Sequence, residues 1–387
     1  MGDPVDLRPG LSRRAFLEVA AGLAVFPAVA GAVADEVSPS RRRMLQLNGY
    51  ATCAETPLEA LTTYLTPNDL FFVRNHWNPQ VPDPKSWALK VDGEVGAPLK
   101  LSLGELKAMP QTTVTCVLQC AGNGRGFMKP IVPGVQWTHG AVGNARWTGV
   151  RVKHLLDRAG LKATSKHLHT FGTDDPPGKV PPFSRSLEIE KVLEDGVVAL
   201  EMNGEPLQAP HGAPARLVVP GWAGDHWMKW LRRLSAQPEP QKGFYMDVAY
   251  RFPNKPGDPG VAFRPEEMHP VTELFVKSSI SECPKKAKVG RQVTLRGFAF
   301  SGAPDVTKVE ISADGGSTWK EAALGAEHDP YAWRLWSFPW KPAAPGKATL
   351  WARATDSRGS VQPKEAVWNQ SGYLHNDWHR VEIDVTA

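Results

Sequence analysis

Cys120, in Gln119-Cys120-Ala121-Gly122-Asn123-Gly124-Arg125, sits where a thiol can do chemistry. It follows an alternating, β-branched run from Thr112 to Leu118, and the small residues after it let the backbone turn and approach a ligand closely. Arg125 and Lys129 lie just beyond it, and an electropositive setting favours thiolate, the form that binds soft metals. The chain has 4 cysteines, Cys53, Cys116, Cys120 and Cys283, and their scatter is not that of a disulfide framework. Cys116 and Cys120 are close in sequence, but no histidine or second cysteine pair completes a zinc set. On its own, Cys120 reads either as a single metal-binding thiolate or as a buried inert thiol.

Length and composition bound what surrounds this residue. At 387 residues and 42% hydrophobic the chain is globular and too long for one core, so two domains are expected. Gly and Pro at 35 each, with 14 Trp, predict many turns and short strands. The formal charge of +5 is dispersed except for Arg41-Arg42-Arg43, so no clustered basic face exists for nucleic acid. At the start, Ser12-Arg13-Arg14-Ala15-Phe16-Leu17 precedes an apolar stretch from Val19 to Val33, too short and too rich in Ala and Gly to span a bilayer. Small residues at Ala28-Val29-Ala30 or Ala32-Val33-Ala34 offer cleavage sites. The paired arginines predict a twin-arginine signal over residues 1–34, export of a folded, cofactor-loaded protein to the periplasm, and no membrane span afterwards.

The elements that must position Cys120 can be read coarsely. Leu58 to Thr66 predicts a short helix, and Phe71-Phe72-Val73 and Trp87 to Val91 predict strands. Ser102 three residues before Glu105 predicts a capped helix, and Val152 to Ala159 a helix stopped by Gly160. Arg216 to Gly221 reads as a buried strand ending in a turn, and Arg251 to Val271 as a linker wrapping one domain. Beyond it the pattern turns to period two: Gln292 to Phe300, Lys308 to Ser312, the Asp314-Gly315-Gly316 turn, Trp333 to Phe338, Ala348 to Arg353 and Val381 to Val385. Such spacing predicts an immunoglobulin-like sandwich.

Several segments recur together in an order that resembles the sulfite oxidase family. They are Phe71-Phe72-Val73-Arg74-Asn75-His76, Gln119 to Asn123, Gly143-Asn144-Ala145-Arg146-Trp147, Glu201 to Leu207, His211 to Gly221, Lys229-Trp230-Leu231, Trp333 to Trp336, Trp368-Asn369 and Asn376 to Val381. The resemblance covers about residues 55–385. It implies an α+β chain: a mixed α/β molybdopterin-binding domain of the sulfite oxidase fold over residues 45–265, then an all-β, immunoglobulin-like dimerisation domain over 266–387.

The same resemblance implies roles. Cys120 would be the molybdenum ligand, and Cys116 a buried strand residue. Arg74, His76, Arg125 and Tyr250 would be catalytic, with Arg74 and Arg125 holding an anion and Trp137 lining the substrate pocket. Molybdopterin would meet Phe72, Val73, Arg74, Asn75, His76, His211, Arg216, Trp227, Met228 and Lys229, with Asp174 or Asp175 as a further contact. Three positions depart from the family's pattern, the last two of them from its animal enzymes. Gly124 stands where an arginine is common, Ala249 where an aspartate precedes the tyrosine, and Ser371 where a third arginine helps hold the anion.

The activity so implied is molybdenum-dependent oxidation of sulfite to sulfate by a homodimer. The chain has no haem-attachment Cys-x-x-Cys-His and no preceding cytochrome b5-like domain, so no haem is expected in it. Electrons should leave to a separate acceptor such as cytochrome c. Competing readings are a sulfane dehydrogenase subunit of a sulfur-oxidising complex, a nitrate reductase, and a cofactor-free exported binding module.

Overall fold

The computed structural model describes residues 44–46, 53–76, 81–173, 176 and 180–387. The expected signal segment and both Asp174 and Asp175 lie outside the described residues. Among the described residues no helix is long and apolar enough to cross a membrane.

Two sheets build the first half. One holds β1 (Ala88–Gly93), β2 (Leu99–Ser102), β5 (His167–Gly172), β6 (Ser184–Glu188) and β9 (Leu231–Gln237), in the order β2-β1-β9-β5-β6. Only the β1–β9 pair is parallel. The other holds β3 (Thr112–Gln119), β4 (Val142–Arg151) and β7 (Val197–Met202), with β8 (Arg216–Val218) and the two-residue Glu205–Pro206 both on β7. Helix α1 (Leu103–Ala108) starts with the expected capping box: the Glu105 N–H donates to Ser102 Oγ, and the Glu105 carboxylate accepts from the Ser102 N–H. Helix α2 (Val152–Ala159) buries Val152, Leu155, Leu156 and Ala159 and stops at Gly160, whose φ of 70° a side chain would resist. Helix α3 (Ile189–Glu194) follows β6.

The second half is a sandwich. One sheet runs β12 (Lys277–Glu282), β14 (Val293–Phe300), β16 (Arg334–Trp340); the other runs β13 (Lys286–Lys288), β18 (His379–Thr386), β17 (Gly346–Asp356), β15 (Val306–Ser312). Ile280, Leu295, Val309, Ile311, Trp336, Leu350 and Ile383 fill the space between, as inward alternation predicts. A separate core joins the halves: Val117 and Ala121 beside the cysteine loop pack in one cluster with Phe298, Phe300, Trp333, Tyr373 and Leu374.

Three local expectations fail. Leu58 to Thr66 is a single 3₁₀ turn, Leu58–Ala60, because its later groups serve distant partners: the Thr66 N–H donates to Asn144 O, and Tyr64 O accepts from Asn144 and from the Trp333 indole. Phe71-Phe72-Val73 makes only one bridge, Val73 to Ala54; Phe71 and Phe72 are apolar because they are core residues. The stretch Arg251 to Val271 pairs its own ends, β10 (Arg251–Pro253) against β11 (Met268–Pro270), and so closes a loop rather than wrapping a domain.

Candidate functional site

Strand β3 delivers Cys120. Its ladder with β4 runs from Thr112–Gly149 to Gln119–Val142, and the Cys120 N–H then donates to Ala141 O at 2.9 Å. The turn that follows is pinned: Asn123 N–H donates to Cys120 O at 2.9 Å, and the Asn123 side chain bonds Gln119 and the Ala141 N–H. Gly124 has φ 88°, and a Cβ there would lie 2.8 Å from His375, so the backbone and its neighbour together select glycine. Cys116 lies within β3, wholly buried, with burial holding its thiol protonated.

Cys120 opens into a cavity shared with Phe72, Arg74, Asn75, His76, His211, Arg216, Trp227, Met228, Lys229 and Tyr250. Every described cofactor candidate except Val73 lines it, and Val73 is held in the bridge beside them. Burial pushes the Cys120 thiol up, while Arg74, Arg125 and the Gly122 N–H pull it back toward thiolate. Arg74 loses charge stability by burial, but Cys53, Tyr250 and Cys120 around it push its pKa upward, so it stays cationic. His76 is held well below its ordinary pKa by burial, then by Arg74 and Lys229, and is a neutral imidazole. Its Nε2 lies 3.0 Å from the Tyr250 hydroxyl, whose pKa burial raises.

Two expected residues are placed differently. Arg125 is buried with its guanidinium committed to backbone: Nε donates to Ser371 O at 2.7 Å and Nη1 to Val135 O at 2.9 Å. It packs against Gly122 and Gly134, lies 5.3 Å from the Tyr373 ring centroid, and is not among the residues lining the cavity. Trp137 is wholly buried, edge-on to Phe72 at 6.3 Å, behind the lining, with its indole N–H lacking a partner among the described residues. Position 371 acts through its carbonyl, which receives Arg125.

The cavity suits a large polar ligand with an anionic end. Arg216 is buried, donates to His211 O and Trp227 O, and has no carboxylate partner among the described residues. Burial lowers it to about 9, and its Nε has no partner among the described residues. A buried cation of this kind is relieved by an anion. Lys229, bonded to Asn75 and to Pro210 O, adds a second positive group. No cluster of three His, Cys, Asp or Glu that could enclose a metal exists among the described residues. A metal here would take one thiolate from the protein and its other ligands from the bound group, as molybdopterin provides.

Sequence reading missed Phe183, Trp230, Asp225 and Arg185. The first three line the cavity, and Arg185 lies behind it, paired to Asp225. The available signal was a charged residue amid the strand Ser184–Glu188 and an acid in the turn after β8.

Comparison with known proteins agrees with this geometry. The oxidoreductase molybdopterin binding domain matches residues 76–245, and the Mo-co oxidoreductase dimerisation domain matches 268–386. Mitochondrial sulfite oxidase of Homo sapiens is 37% identical over 373 residues, covering 90% of this chain and 67% of its own length. Sulfite oxidase of Arabidopsis thaliana is 33% identical over 391 residues, covering 92% and 98%. The crystal structure of the sulfane dehydrogenase SoxCD from Paracoccus pantotrophus is similar at TM-score 0.74 and 27% identity, over 99% of this chain and 93% of that one. With Cys120, Arg74, His76 and Tyr250 gathered at one cavity and both halves matched, the chain belongs to the sulfite oxidase family of molybdopterin oxidoreductases.

Proposed function

We propose that this chain oxidises sulfite to sulfate and passes the electrons to a separate protein such as a cytochrome c. The observation that carries the reading is Cys120 opening into the same cavity as Arg74, His76 and Tyr250. Molybdenum–molybdopterin, when bound, supplies oxygen-atom transfer and accepts two electrons. Cys120 would hold the metal; Arg216, His211 and Lys229 would hold the pterin and its anionic end.

The other residues act on the substrate. Sulfite is a small dianion, and Arg74 can hold its oxygens by charge-assisted hydrogen bonds. Tyr250 and neutral His76 share one hydrogen bond and can aim a polar hydrogen at the reacting oxygen without adding charge. Arg125 favours the Cys120 thiolate and braces its loop. The paired arginines near the start support export to the periplasm by the twin-arginine route, and the matched dimerisation domain supports a homodimer.

Sulfane dehydrogenase activity is the second reading, favoured by the whole-chain match to SoxCD. Metal analysis with steady-state assays on sulfite, thiosulfate and nitrate, using cytochrome c as acceptor, tests both. Bound molybdenum with sulfite turnover is expected; a molybdenum-loaded protein inert to sulfite would overturn the proposal.

A further inference from the structure

Arg185 and Asp225 form an ion pair at the back of the cavity. Arg185 Nη2 lies 2.9 Å from Asp225 Oδ2, and their side chains are 0% and 1% exposed. The same guanidinium donates to Tyr245 O and, at 3.4 Å, to Val271 O, and sits 2.9 Å from His226 Nε2. His226 Nε2 is also 2.7 Å from Val271 O, so that nitrogen carries the ring proton and Arg185 meets it as a neighbour rather than as a donor. Two buried charges are costly to remove from water, and an apolar pair of the same volume is commonly at least as stable. Stability alone therefore does not explain why they are here.

Their location suggests the reason. The Arg185 guanidinium carbon lies 5.4 Å from the ring centroid of Tyr250. Tyr250 has a φ of 55°, a backbone conformation unusual for a residue with a side chain, and it is held from both flanks. Its carbonyl accepts from the Val271 N–H at 2.7 Å, and Arg185 grips the carbonyls of Tyr245 and of Val271 itself. Tyr373 stacks on the ring at 5.2 Å and 10° between planes, and Phe183 meets it edge-on. The hydroxyl is thereby left on His76 Nε2.

We propose that Arg185, locked by Asp225, is a positioning residue that holds the Tyr250 ring and its strained backbone so that the hydroxyl stays on His76 at the mouth of Cys120. This rests on the reading above, in which Tyr250 serves sulfite oxidation. Burial raises the Asp225 carboxyl to about 7 against the pull of Arg185, so above that pH Asp225 holds the guanidinium in place and cancels its charge, and the pair steers Tyr250 without changing the attraction of the cavity for an anion.

The test is a double-mutant cycle in the molybdenum-loaded protein. Assayed at pH 8, where Asp225 is charged, Arg185→Met with Asp225→Leu removes the pair while leaving the net charge unchanged and no lone buried ion. This swap should lower kcat on the order of tenfold. KM should stay within about threefold, because the swap does not alter net charge. Arg185→Lys, which keeps the ion pair, should retain most of the rate, and it carries the comparison if the swapped pair unfolds. In a Tyr250→Phe background the swap should change kcat by less than about twofold, because the effect passes through the hydroxyl. A second readout needs no turnover: the ring-nitrogen NMR signals of His76, assigned with His76→Gln, should shift in the swapped pair as they do in Tyr250→Phe. Independent, multiplying effects on kcat, or an unmoved His76 signal, would overturn the proposal. If wild-type protein fails to oxidise sulfite, the functional reading falls and the His76 signal alone decides the positioning role.

Discussion

The Tyr250 hydroxyl lies 3.0 Å from His76 Nε2 although 174 residues separate them. Tyr250 directly precedes β10, and His76 ends the segment bridged through Val73 to Ala54. Burial raises the phenol and lowers the imidazole, and Arg74 adds to the second effect, so the hydrogen bond joins two neutral groups beside a permanent cation. Such a pair can orient a proton without competing for an anion.

Cys120→Ser should leave a folded protein that binds little molybdenum and has no sulfite turnover, since a hydroxyl is a poor substitute for thiolate on this metal. Cys116→Ser, buried inside β3 and away from the cavity lining, should keep both metal and activity. Metal analysis and assay of both variants check this. Normal turnover by Cys120→Ser with an inactive Cys116→Ser would reverse the assignment.

Arg74→Met should raise the KM for sulfite with molybdenum content unchanged. Losing one charge-assisted contact costs on the order of 1.5–3 kcal/mol, roughly ten- to hundredfold in kcat/KM. Arg125→Met should behave differently, losing metal along with activity, because its guanidinium serves the carbonyls of Ser371 and Val135. A full metal complement and a raised KM in Arg125→Met would instead place it on the anion.

Arg216→Met should reduce the pterin recovered from the purified protein. The buried cation has no carboxylate partner among the described residues, and its place beside His211 and Trp227 suits an anionic ligand end. Replacement in the metal-free protein should raise the melting temperature or leave it unchanged, since an uncompensated buried charge is removed. A large loss of thermal stability would show that Arg216 is structural.

Ending the chain near residue 275 should impair the cofactor site as well as assembly. Leu374 N–H donates to Ala121 O at 2.8 Å, Ser371 O receives Arg125, and Tyr373 stacks on Tyr250, so the second half carries part of the scaffold of the Cys120 loop. Molybdenum content and limited proteolysis of the truncated protein measure this. Full metal loading would contradict it.

Acid stability should depend on His375 and His379. Burial, then Lys277, lowers each from 6.5 to about 3. Between those values the unfolded chain binds protons that the folded chain refuses, so stability falls as pH drops, by about 1.4 kcal/mol per pH unit for each group. Asp225 works in the opposite direction: burial raises it from 3.8 to about 7, so the folded state holds the extra proton in that range and its contribution falls as pH rises. The wild type is therefore compared with His375→Gln. The loss of melting temperature between pH 7 and pH 4.5 should be smaller in the variant, and an equal loss would remove His375 from the account.

Local chemistry was legible from the residues alone. The β3 strand before Cys120, the Ser102–Glu105 cap, α2 with its Gly160 stop and the period-two strands of the sandwich depend on neighbours within a few residues, and each formed where expected. The ordered motifs also marked many cavity residues, from Phe72 to Lys229, and an interval counted from Gln237-Pro238 reached Tyr250. Only the tertiary structure decided the rest. Apolarity at Phe71 and Phe72 meant core rather than strand, and Leu58 to Thr66 gave its backbone groups to distant partners instead of to a helix. The same held for charge. Arg125 turns to two carbonyls while Arg74 faces the cavity, and Arg185 finds Asp225 across two elements. A guanidinium looks alike in every sequence context, and what it does is set by which acceptors the fold brings within about 3 Å of it.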